Sequence, residues 1–171
     1  MHSAVDIANI FVSKGLEEDS PVTQMQLQKM VYFAHGITLA YTEGKNKLVK
    51  EKFEAWDFGP VIPEIYHEFK QFGAKPITPE VDIYRLINKG RKFESIELEN
   101  PTEKKIVDDT WEALKGLTGI QLSKWTHKDD SAWAKVYRRG SRSIKLKDED
   151  IINDFTPLLT KSKESKQKVG S

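Results

Sequence analysis

Phe53-Glu54-Ala55-Trp56-Asp57-Phe58-Gly59-Pro60-Val61-Ile62-Pro63-Glu64-Ile65-Tyr66 is the stretch on which the fold turns. Its first six residues alternate large aromatics with small or charged side chains, the period-two pattern of a strand. Gly59-Pro60 interrupts that pattern, because proline has no N–H for a ladder and the pair marks a turn. The spacing therefore predicts a strand that ends in a sharp corner. Pro63 falls in the first turn of a helix, where a missing N–H costs little. Ile62, Ile65, Tyr66, Phe69 and Phe72 then recur at helical spacing, and Gly73 caps the helix. Phe53, Ile65 and Phe69 are predicted core anchors, and Gly59 and Pro60 fix the corner. Trp56, Phe58 and Tyr66 are the aromatics here that are candidates for meeting a partner, since exposed Trp and Tyr are favoured anchors in protein contacts.

Upstream, Thr23 and Gln26 resemble a capping box. Leu27, Met30, Val31, Ala34, Thr38 and Tyr41 form one apolar stripe, and Tyr32, Phe33, Ile37, Leu39 and Ala40 form the opposite one. A helix apolar on both sides is enclosed by neighbours, so this is the predicted central helix, ended by Gly44. Gly36 weakens such a helix by roughly 1 kcal/mol relative to Ala, which points to another backbone packing close to it. Nearer the N-terminus, Ser3 caps a first helix with Asp6 three residues on; Val5, Ala8, Phe11 and Val12 give its periodicity and Gly15 its stop.

Downstream, residues 74–99 carry no firm pattern. Val81 to Asn88 suits a short helix or a strand, and Ile96-Glu97-Leu98 a short strand. Asn100-Pro101-Thr102-Glu103 is a helix start with cap, proline and acid in order. Ile106, Val107, Thr110, Trp111, Leu114 and Leu117 form its inner face, and Gly116 and Gly119 bracket its end. Leu122 to His127 suits a short helix. Asp129 or Asp130 caps another one carrying Trp133, Val136 and Tyr137. Asp148 starts a last helix with Ile151, Ile152, Phe155, Leu158 and Leu159. Lys161 to Ser171 is polar and lacks aromatics, the composition of a disordered tail. The expected architecture is mainly α: a compact helical domain over residues 1–160 around a buried central helix, with a small two- or three-stranded β element, followed by the tail 161–171.

Composition narrows the function classes. A chain of 171 residues can bury one sizeable core. With 27 basic and 26 acidic residues the charge nearly cancels, so there is no electrostatic case for broad nucleic-acid or membrane binding. The absence of cysteine excludes disulfides, thiolate nucleophiles and cysteine-ligated metals. The N-terminus lacks a leader pattern and no run of about 18 apolar residues occurs, so a cytoplasmic location is expected.

Chemistry-bearing motifs are sparse. The histidines His2, His35, His67 and His127 form no H-x-x-x-H or H-E-x-x-H pair. His35, inside an apolar helix, reads as a packed, hydrogen-bonded side chain. His127 is the strongest enzymatic candidate: Ser123 lies four residues before it on one helical face, and Asp129 and Asp130 follow. Ser123, His127 and Asp130 are the ingredients of a hydrolytic triad, without the G-x-S-x-G elbow. The competing reading makes Ser123 a cap, His127 a turn-orienting group and Asp130 the next cap. Metal binding by His127 with an aspartate has weak spacing support, so no metal is expected, and no glycine loop for a phosphate cofactor is present. Arg138, Arg139, Arg142, Lys145 and Lys147 are the one hint of a nucleic-acid contact; Asp148, Glu149 and Asp150 offset them, and a solvated face accounts for the run.

Three blocks taken together resemble a known family: Leu27-Gln28-Lys29-Met30-Val31-Tyr32-Phe33-Ala34-His35-Gly36, then Phe53 to Tyr66, then Leu122-Ser123-Lys124-Trp125-Thr126-His127 with Trp133. They are similar to the Panacea domain, which includes SocA-like antitoxins and occurs in prophage-associated proteins. The resemblance runs from about Val5 to Phe155, and the aromatic-x-x-Gly-Pro-Val block is its most diagnostic part. One departure is Ala132, where the family pattern has a proline before the tryptophan. The resemblance implies an antitoxin that neutralises a cognate protein toxin by direct binding and, in the SocA-like branch, delivers it to a protease. It implies no catalytic residue. Trp56, Phe58, Tyr66, His127 and Trp133 are the candidate partner-binding residues, Gly36, Gly59 and Pro60 the structural ones, and a homo-oligomer is compatible with both.

Overall fold

The computed structural model describes residues 1–78, 95–141 and 143–169, with residues 161–169 as backbone. In chain order the elements are helices α1 (Ala4–Glu17) and α2 (Gln24–Tyr41), strands β1 (Glu54–Trp56) and β2 (Gly59–Val61), and helix α3 (Pro63–Phe69), continued by a 3-10 turn over Lys70–Phe72. Helices α4 (Pro101–Leu114), α5 (Gly119–Thr126), α6 (Ala132–Val136) and α7 (Asp148–Val169) follow. The architecture is mainly α with one small antiparallel sheet.

Helix α2 is the centre, and it is buried without a break from Leu27 to Gly36. Thr23 and Gln26 form the expected capping box at its start. Helices α1, α3, α4, α5 and α7 all pack against it, α7 most extensively. Gly36 explains that closeness. A Cβ there would run into the ring of Phe155, so a side chain of α7 packs on Gly36, not the backbone that the sequence suggested. The Phe155 ring in turn meets Tyr32 at 5.4 Å, Phe33 at 5.3 Å and Trp125 at 4.9 Å, an aromatic cluster joining three helices. His35 is buried and its Nδ1 accepts the Val49 N–H at 3.3 Å; burial lowers its pKa to about 4, which keeps it a neutral, packed histidine.

Several local expectations change. Helix α1 passes through Gly15 to Glu17, and the glycine is needed because the Ser20 carbonyl oxygen lies 2.8 Å from where its Cβ would stand. Gly59-Pro60 does not end the β element. The chain turns at Asp57-Phe58, and Gly59-Pro60-Val61 returns as β2, paired with Glu54–Trp56. The proline is tolerated because this strand is at the sheet edge. Ile144 and Leu146 flank the other side of β1 through two backbone hydrogen bonds of 2.8 Å, a partial third rank. Helix α4 ends at Leu114, leaving Leu117 outside it, and Gly119 belongs to α5, whose cap is Thr118. Ser131 caps α6 in place of Asp129 or Asp130. Ile96 to Leu98 forms no strand, and Val81 to Asn88 lies outside the described residues. Helix α7 starts at Asp148 as expected and continues to Val169, into the segment read as a tail, over residues rich in helix-favouring Lys, Glu and Gln.

Candidate functional site

The hairpin β1–β2 is gripped through its backbone by side chains from the two other sequence blocks. From α2, Gln28 is bonded to both polar groups of Ile62: its Nε2 donates to the Ile62 carbonyl at 3.1 Å and its Oε1 accepts the Ile62 N–H at 2.9 Å. Lys29 Nζ donates to the Pro60 carbonyl at 2.9 Å. From α5 and its C-terminal end, Ser123 Oγ donates to the Phe58 carbonyl at 2.8 Å, and His127 Nε2 lies 3.2 Å from the Asp57 carbonyl oxygen. From α6, Trp133 Nε1 donates to the Trp56 carbonyl at 2.7 Å. Five polar side chains thus meet the backbone of four hairpin residues and of Ile62, the residue that follows β2.

Gly59 makes this possible. It sits at φ 102°, a conformation that L side chains rarely adopt. A Cβ there would also lie 2.5 Å from Thr126 Oγ1 and 3.0 Å from Lys29 Nζ. The aromatic-x-x-Gly-Pro-Val motif is therefore a packing solution: it lets side chains of α2 and α5 close on the hairpin backbone where a side chain of residue 59 would stand.

The residues proposed as a triad do not form one. The Ser123 hydroxyl is engaged by the Phe58 carbonyl, and the His127 ring places Nδ1 2.7 Å from the carbonyl oxygen of Ser123 and not on its hydroxyl. Asp130 is exposed, at φ 61°, in the turn before α6. The His127 ring instead packs on Trp133 at 3.9 Å in a tilted arrangement, and Trp133 stacks on Tyr137 at 4.3 Å. Trp133 is buried. His127 and Trp133 therefore hold the hairpin from behind, whereas Trp56, Phe58 and Tyr66 lie on its outer side.

On that outer side is a groove of about 540 Å³. Trp56, Phe58 and Tyr66 line it, with the Trp56 and Tyr66 rings 5.0 Å apart. Phe58 is 67% exposed and Ile120, also in the lining, is 66% exposed. These are the largest apolar exposures of the hairpin and of α5, and they share one opening. The N-termini of α2 and α5 meet in the same wall. The absent Cβ of Gly119 would stand 2.8–2.9 Å from Met25, and Gln26 Nε2 donates to the Leu117 carbonyl at 2.8 Å.

Lys29 is the residue that sequence reasoning missed. It is 1% exposed, yet it lines the groove, and no carboxylate pairs with it among the described residues. Desolvation lowers its pKa to about 7. The signal was present: Gln28 and Lys29 are polar residues on a helix already read as enclosed on every side.

The basic run is solvated. Arg138, Arg139, Lys145 and Lys147 are exposed, Arg138 donates to the Tyr137 carbonyl at 2.7 Å, and Arg142 lies outside the described residues. Among the described residues no three of His, Asp and Glu come together as a metal-binding set, and no helix is long and apolar enough to cross a membrane.

No solved structure matches the chain. Over 71 residues it is 42% identical to a protein named Antitoxin SocA from Caulobacter vibrioides (strain NA1000 / CB15N). That stretch is 42% of this chain and 37% of the relative, so the match spans well under half of the relative's length. Residues 27–134, more than half of the chain, match the family described as Antitoxin SocA-like, Panacea domain. That range holds α2 from Leu27 onward, the hairpin, α5 and Trp133, every residue of the clamp, and the chain belongs to the SocA-like antitoxin, Panacea domain family.

Proposed function

We propose that this protein is the antitoxin of a toxin–antitoxin pair and neutralises its cognate protein toxin by direct binding in the cytoplasm, without catalysis. The observation that carries this reading is the convergence of the family's three blocks on one hydrogen-bonded hairpin, whose Trp56 and Phe58 line an apolar groove together with Tyr66 of α3. A surface of this kind suits partner binding, because aromatic anchors around a preformed groove supply contact area at little ordering cost. The side chains with catalytic potential, Ser123 and His127, are committed to backbone carbonyls.

The test is co-expression with the product of the neighbouring open reading frame. The expected result is rescue of growth and co-purification of the two chains. Failure of both would overturn the reading. Delivery of the toxin to a protease, which the family resemblance also implies, is separable from binding: it shortens the toxin's half-life in pulse-chase, whereas sequestration alone leaves the half-life unchanged.

A further inference from the structure

We infer that the groove receives an apolar segment of the toxin that bears an acidic side chain, and that Lys29 is the counter-ion for that carboxylate. The inference rests on the antitoxin reading and adds the chemistry of the partner. Three observations support it.

The first is the state of Lys29. A buried ammonium is stable only when paired or fully hydrogen-bonded. Here three N–H donors find one acceptor, the Pro60 carbonyl, and no counter-ion among the described residues. A helix position enclosed by apolar neighbours takes a methionine or leucine at no such cost.

The second is the wall around it. The first turns of α2 and α5 both line the groove, at Gln24 and Met25 and at Gly119 and Ile120. The capping boxes engage the N–H groups of Gln26 and Gln121, one turn position deeper. The leading N–H groups of two helices thus add positive potential to that of Lys29, and an anion is favoured there. Among the described residues Asp57 is the one carboxylate in the lining, and it accepts the Tyr137 hydroxyl at 2.9 Å.

The third is the apolar rim. Phe58 and Ile120 are both exposed in the lining, which suits a peptide segment with apolar residues flanking its acid better than a small hydrated anion. Lys29 reaches such a carboxylate by rotating its four-carbon stem off the Pro60 carbonyl, a motion that relieves its burial.

The experiment uses the full chain and the purified product of the neighbouring open reading frame. Lys29→Met keeps side-chain length and removes the charge, and Ile120→Glu places a like charge at the exposed rim, where folding is not at stake; circular dichroism checks both folds. Each variant is expected to weaken binding by about tenfold or more. An Asp or Glu to amide scan of the toxin should yield one position whose loss is not additive with Lys29→Met. If the wild-type chain neutralises the toxin while both variants bind it equally well, the groove assignment is overturned and the antitoxin reading stands. If the wild type neither binds nor neutralises, both fall. Loss of binding with Ile120→Glu alone, and no coupled acid on the toxin, rejects the role given to Lys29. A dimer in sedimentation that Ile120→Glu dissociates, with toxin binding unaffected, assigns the groove to a second copy of this chain and rejects the inference.

Discussion

Helix α2 serves two different neighbours along its length. Its C-terminal half, from Tyr32 to Ala40, packs on α7 mainly through rings and a glycine, with the buried Tyr32 hydroxyl hydrogen-bonded to Asp154 of α7. Its N-terminal half carries Gln28 and Lys29 against the hairpin, and there the contact is made by hydrogen bonds to backbone. Both halves are buried, so burial alone does not distinguish them. The first region is stabilised by shape complementarity and fails when a volume changes. The second holds a backbone in place and retains a charge that a stable core would exclude. Departures from local consistency of this kind collect at functional sites.

The largest effect should come from the apolar half. Phe155 is fully buried in a ring cluster, so Phe155→Ala is expected to cost about 3–5 kcal/mol in chemical denaturation. Gly36→Ala alone is expected to cost about 1–3 kcal/mol by overpacking, although alanine is the better helix former. In the Phe155→Ala background that cost should vanish, because the colliding ring is gone. A double-mutant cycle that shows simple additivity would contradict the packing described.

The polar half is tested by pH. The Lys29 pKa lies at about 7 in the folded chain against an ordinary 10.5, so between those values the unfolded chain binds more protons. Stability from this group is therefore lowest below pH 7 and rises as pH climbs toward 10.5. The full cost at neutral pH is on the order of 4–5 kcal/mol. Lys29→Met removes it, but leaves the Pro60 carbonyl unpaired, a loss of about 1–3 kcal/mol. The variant should thus be the more stable by about 2 kcal/mol at pH 7, and the advantage should shrink and reverse by pH 10. Asp57 on the hairpin, Tyr66 on α3 and His127 at the end of α5 surround the same hairpin and are common to both proteins, so the difference between the two curves isolates Lys29. Parallel curves from pH 7 to 10 would show that the amine is not held as described.

The two halves also differed in how far the sequence revealed them. The apolar half was legible because periodicity reports burial directly, and the helix from Gln24 to Tyr41, the core roles of Phe53, Ile65 and Phe69 and the last helix all follow from it. The clamp was not legible. Residue type alone points Ser123 and His127 toward a triad, whereas their actual partners are carbonyl oxygens, which every residue has and no sequence pattern marks. The corner lies at Asp57-Phe58, two residues before Gly59-Pro60, where the sequence places it because a proline in an edge strand reads as a terminator. Thr118 and Gln121 form a capping box whose signature stands in the sequence and places Gly119 at the start of a helix, not at the end of the one before.

The smallest structural effect, and the sharpest test of the site, is expected at the hairpin turn. Phe58 is mostly exposed and its carbonyl, not its ring, is held by Ser123, so Phe58→Ala should change stability by less than about 0.5 kcal/mol. Trp56 is half-buried: its Nε1 donates to Glu54 at 3.1 Å and its ring packs on Tyr66, so Trp56→Ala should destabilise more, by about 1–2 kcal/mol. Toxin affinity should not follow that order. If the partner sits in the groove, Phe58→Ala loses about tenfold or more in binding despite its small structural effect, because its ring is free to be covered. If Trp56→Ala weakens binding and Phe58→Ala does not, the partner approaches over Tyr66 and leaves the turn open. Unchanged affinity in both, with native circular dichroism, would make these aromatics part of the fold alone and return the hairpin to the same role as the α7 face of the central helix.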